Sequence, residues 1–117
     1  MGDLKEKIKA AQDLKVKKID IPEWGVTVEV RTMKAIDRAR IIKACMDDKG
    51  KVIGEKFQAG LVIASCFDPN TGEKVFMDDD YDFIMGRSAG VIEYIASTAM
   101  EISGLNREAL VVAEKNS

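Results

Sequence analysis

Few residues of this 117-residue chain are equipped for chemistry. It has no histidine, so the side chain most used as a general base and metal ligand is missing. A Ser-His-Asp or Cys-His nucleophilic site therefore cannot be built from this chain alone. The two cysteines, Cys45 and Cys66, lack the short Cys-x-x-Cys spacing of a zinc site. Each sits among apolar neighbours and reads as a small core residue, with a disulfide disfavoured in a reducing compartment. The densest group of possible ligands is the acidic run Asp78-Asp79-Asp80-Tyr81-Asp82. Read as a calcium loop, it puts Asp78, Asp80 and Asp82 at the first, third and fifth ligand places. The glycine of the sixth place is then Phe83 and the glutamate of the twelfth is Ala89, so the motif fails twice. The run fits a helix start better, with Asp78 as cap and Asp79 and Asp80 beside the positive helix end.

Gly86-Arg87-Ser88-Ala89-Gly90 has neither the glycine spacing nor the Lys-Ser/Thr pair of a phosphate loop. Two carboxylates for glycoside hydrolysis can meet in space from any positions, but so small a helical chain leaves little room for a deep cleft. The reading assigns no catalytic, cofactor-binding or metal-binding residue, and no cofactor.

Bulk properties narrow the class. The length suits one domain, 1–117. Apolar residues at 46% and charged residues at 32% are a globular balance. A net charge of −2 argues against a partner held by its phosphates, so no nucleic acid is expected. Lys15, Lys17 and Lys18 read as a solvated strand edge. No apolar run approaches the ~18 residues of a membrane helix, and the N-terminus lacks a signal-peptide core. The expectation is a cytosolic protein without a membrane partner.

The elements that must carry any surface are well punctuated. Asp3 and Glu6 open a helix within 1–14 whose stripe is Leu4, Ile8 and Ala11. So short a helix needs a surface to dock on. Ile19 and Ile21, then Val26, Val28 and Val30, alternate with polar residues around Pro22-Glu23-Trp24-Gly25, predicting a hairpin over 16–31 with one wet face. From Lys34 the period turns helical, with a stripe of Ala35, Ala39, Ile42 and Met46 flanked by Ile36, Ile41 and Cys45, ending near Gly50. A second helix over 54–67 is apolar almost all round and marks the centre of the core. Asp68-Pro69 to Gly72 is a turn, with a short extended segment at 74–76 after it. A helix from Asp78 to Gly86 follows. A last long helix, 88–103, turns Ile92, Ile95, Ala96, Ala99 and Ile102 inward, and Gly104 ends it. The fold class is α+β: a helical body of four to five helices (34–104), an N-terminal hairpin and a tail, 106–117.

This order resembles the tail assembly chaperone family of long-tailed bacteriophages and prophages. The resemblance rests on Pro22-Glu23-Trp24-Gly25, the helix around Arg38 to Ile42, Gly72-x-x-x-Phe76-x-Asp78-x-Asp80, and Ser103-Gly104-Leu105-Asn106. It implies a non-enzymatic holdase in the host bacterial cytoplasm. Its client would be the tape measure protein, which is long, helical and poorly soluble alone. The tail tube protein is a second implied partner, and self-association is left open. A frameshifted longer form is also a family trait, and the codons of Lys115-Asn116 are where slippage would be sought. The alternative is a structural virion component, a tail tube or head–tail connector protein. Such a surface needs apolar side chains it can lend and take back. The candidate partner-binding residues are Trp24, Tyr81, Phe83, Tyr94, Leu105, Leu110, Val111 and Val112.

Overall fold

Pro22 and Gly25 shape the first turn. The amide N–H groups of Trp24 and Gly25 both donate to the Ile21 carbonyl, at 3.0 and 2.9 Å, and Gly25 takes φ +66°, which a side chain would strain. The computed structural model, which describes residues 2–104, places this turn between strands β1 (Val16–Ile21) and β2 (Val26–Arg31). Register runs from Val16 opposite Arg31 to Ile21 opposite Val26. Ile19, Ile21, Val28 and Val30 point into the core and Lys18, Asp20 and Thr27 face water, while Val26 of the same alternating set is 48% exposed beside the turn.

Among the described residues the other elements are α1 (Gly2–Ala10), α2 (Ala35–Ala44), α3 (Gly54–Ser65), β3 (Cys66–Phe67), a 3-10 turn (Asp78–Asp80), α4 (Tyr81–Met85) and α5 (Ala89–Ile102). The fold is α+β, with a β1-β2-β3 antiparallel sheet beside a helical body. α3 and α5 pack on each other, and both contact the sheet. Ile84, Val91, Ile95 and Ala99 close the core with Leu61 and Val62.

Five local expectations are corrected. The central helix stops at Ser65 rather than residue 67. Cys66 turns extended and pairs with Val30, and Phe67 pairs with Glu29. An apolar run carries no period to separate helix from strand, and β2 offered an open edge. Lys74 then bridges Phe67, closing a small hairpin around Asp68–Gly72.

α2 ends at Ala44, well before Gly50. Asp47 Oδ1 accepts the N–H groups of Lys49 (2.8 Å) and Lys51 (2.9 Å), so a side chain competes with the helix for the backbone. α2 is also rotated from its expected facing. Ile41 and Cys45 are buried, and Ala35, Ile36, Ala39 and Met46 are exposed. The cause is Gly60 on α3. A Cβ built there would lie 2.7 Å from Ile41 Cγ2, so the missing side chain admits Ile41 to the contact.

Asp78 does not cap the next helix. Met77 holds the cap position of the 3-10 turn, and Asp80 Oδ2 accepts the Met77 N–H at 2.8 Å. Lastly, α1 has no buried residue, with Leu4 69% and Ile8 65% exposed. Its stripe forms, but within the described chain it has no surface to cover it.

Candidate interaction surface

The hairpin turn delivers Trp24 to Phe76, edge to face with ring centres 6.4 Å apart. Phe76 is buried and in turn meets Phe83 of α4 at 6.3 Å. Arg87 places its guanidinium 4.9 Å from the Phe83 ring centre. The result is an aromatic strip from the sheet's turn to α4, anchored on a buried ring and ending on Phe83, which is 54% exposed. Quadrupolar ring pairs of this kind are worth ~0.5–1.5 kcal/mol beyond area burial. Val75, Met77 and Met85, from the same stretch of chain, are also exposed. Methionine adapts its shape to a partner at low cost.

Tyr81 turns away from that strip. It is half-buried and lines a groove of about 410 Å³ with Asp37, Ile41, Ala44 and Cys45 of α2 and Gly60, Ile63 and Ala64 of α3. Arg40, Lys56, Lys74 and Asp78 also line it, and Asp37 faces Arg40 at 4.0 Å. An apolar lining with a few charges is the arrangement of a binding groove.

Of the residues singled out in the sequence, Trp24 and Phe83 thus meet through Phe76, Tyr81 opens on the neighbouring groove, and Tyr94 stands apart on α5, 48% exposed. Leu105, Leu110, Val111 and Val112 lie outside the described residues. Sequence reasoning missed Phe76 as the link and the groove altogether. Its one advance signal was Gly60, a missing side chain inside an otherwise bulky apolar helix.

Two buried thiols have shifted protonation. Burial pushes the Cys66 thiol up to about 12. Burial also raises the Cys45 thiol, opposed in part by the Lys56 charge. Both sulfurs therefore stay protonated near neutral pH, in the form that neither attacks carbon nor binds metal well. No group of three or more metal-ligating side chains forms among the described residues. No described helix is long and apolar enough to cross a membrane.

No protein-family model matches the chain, and neither does any curated protein. Among solved structures, the bacteriophage HK97 tail assembly chaperone superposes with a TM-score of 0.62 at 18% identity, over 87% of this chain and 95% of that one. The fold is that of a phage tail assembly chaperone. That fold carries both surfaces described above: the hairpin turn supplies Trp24, and the helices around α3 supply the groove.

Proposed function

We propose that this protein is a non-enzymatic tail assembly chaperone of a phage or prophage. It holds the tape measure protein in the host cytoplasm while the tail tube assembles around that client. The observation that carries the reading is the shared fold, which extends over nearly all of both chains. The exposed Phe83 strip with its flanking methionines supports it, because apolar stripes of a helical client need a partner surface of this type. The neutral thiols and the absence of histidine fit a protein that binds without reacting. Co-expression with the tape measure protein of the same phage tests it. The client should stay soluble and co-purify; an insoluble client and no co-purification would refute the reading.

A structural virion component is the competing reading, favoured by the β1 edge, which among the described residues pairs only with β2. Mass spectrometry of mature particles separates the two, since a chaperone is absent from them and a tube or connector protein is retained.

A further inference from the structure

We propose that the outer edge of β1 is a docking site for an extended, acidic segment of another protein, taken up as a further strand of the sheet. Backbone direction supports this first. The Thr32 N–H donates to the Lys15 carbonyl at 2.8 Å, and the Gly25 N–H donates to the Ile21 carbonyl at 2.9 Å. Residues 15 and 21 thus turn their polar groups toward β2, and the alternation of an antiparallel pair puts 17 and 19 with them. Val16, Lys18 and Asp20 point their N–H and C=O groups the other way. Among the described residues no strand pairs with that side, and no hydrogen bond reaches those groups.

A row of alternating donors and acceptors fits an extended chain, since a helix spends its own backbone groups internally. The row is also held in place. Thr32 Oγ1 accepts the Lys15 N–H at 2.8 Å, which pins the strand where it starts, and Ile19 and Ile21 anchor it in the core. The six residues of β1 span ~20 Å at the strand rise, enough for an incoming strand of ordinary length.

Side chains select the charge of the occupant. Lys17 and Lys18 stand on this edge and Lys15 just before it, on a chain whose net charge is −2. All three are exposed, and none forms an ion pair among the described residues. The neighbouring carboxylates of the hairpin are engaged: Asp20 accepts from Thr27 Oγ1, and Glu29 pairs with Arg31. An incoming strand with glutamate or aspartate at alternate positions sets opposite charges beside the lysines, whereas a basic strand meets like charge. Val16 is 53% exposed on the same face as Lys18, and it gives a β-branched residue of the partner an apolar contact.

The test uses the purified full chain and defined peptides, so it does not depend on the client proposed above. The probe is a capped peptide of about eight residues, an ordinary strand length, that alternates glutamate with valine. Its counterpart alternates lysine with valine. Amide hydrogen exchange is followed residue by residue by NMR at low salt. The glutamate peptide, at about ten times its Kd, should slow exchange at Val16, Lys18 and Asp20 by about tenfold. Lys17→Glu combined with Lys18→Glu should weaken that peptide by about tenfold and admit the lysine peptide instead. Three results would each overturn the proposal: equal binding of both peptides to the unaltered chain, no slowing at the three amides up to about 1 mM peptide, or slowing only elsewhere in the molecule. Slow exchange at the three amides before any peptide is added would overturn it too. If that slowing grows with protein concentration, the edge belongs to a second copy; if it does not, another part of the same chain covers it. Should the double variant fail to fold, as circular dichroism would show, the two peptides on the unaltered chain still decide the charge preference.

Discussion

Ser103 Oγ accepts the backbone N–H of Met33 at 2.9 Å, joining the end of α5 to the entrance of α2 across 70 positions of sequence. Beside it, Thr32 Oγ1 accepts the Lys15 N–H at 2.8 Å and lies 3.2 Å from the carbonyls of Lys15 and Ile102. Two hydroxyls thus tie the strand preceding the turn, the α2 entrance and the last helix at one point. Ser103→Ala leaves the N–H of buried Met33 without its acceptor, at a cost of about 1–2 kcal/mol. A thermal melt should fall by roughly 4–8 °C per kcal/mol. Ser103→Thr should retain most of the stability. An unchanged melt for the alanine variant would remove this latch from the account.

The Gly60–Ile41 contact makes a sharper prediction. Gly60→Ala gains up to ~1 kcal/mol of helix propensity but forces a methyl against Ile41 Cγ2. Overpacking of that kind costs ~1–3 kcal/mol, so the net effect should be destabilising. In the Ile41→Ala background the same substitution should become neutral or stabilising. Urea denaturation of the four chains of the cycle measures the coupling.

Asp47 supplies the pH dependence. The N–H groups of Lys51 and Lys49 hold its carboxyl below the ordinary value of 3.8. Its contribution to stability is therefore complete above pH 3.8 and is lost as pH falls through the lowered folded-state value. Asp47→Asn should flatten that acid limb and leave the profile near neutrality with its shape unchanged. Urea titrations across the acid range check the sign.

Phe83 separates holding from folding. Its ring is largely exposed, so the stability cost of Phe83→Ser should be of the order of the lost Phe76 ring pair, about 0.5–1.5 kcal/mol. If the aromatic strip is the client surface, the same change should weaken capture of the tape measure protein by about tenfold or more, the scale of an interface hot spot. Pull-down and melting of one purified variant give both readings.

How much of this was legible depended on whether the signal was local. Pro22, Gly25 and the alternating valines specify the hairpin within sixteen residues, and α5 buries Ile92, Ile95, Ala96 and Ala99 as its spacing requires. The facing of α2 was not legible, because Ala35, Ile36 and Ala39 are as apolar as a core stripe. Only the partner position Gly60 selects Ile41 instead. Cys66-Phe67 becomes a strand through pairing with β2, far away in sequence, which no window around it contains. The candidate surface was half visible. Aromatic type picked out Trp24, Tyr81 and Phe83, but three separate segments must converge before Phe76 joins two of them and Tyr81 falls on the groove.

Among the described residues β1 is an edge strand paired only with β2, and Lys17 and Lys18 stand on it, with Lys15 just before. A second molecule that paired its own β1 there would bring its lysines against these, and the two sets would repel. That guard is only as strong as the field it casts. Salt near 1 M shrinks the screening length to ~3 Å, so concentrated brine is the storage medium in which edge-to-edge pairs of this protein should first appear.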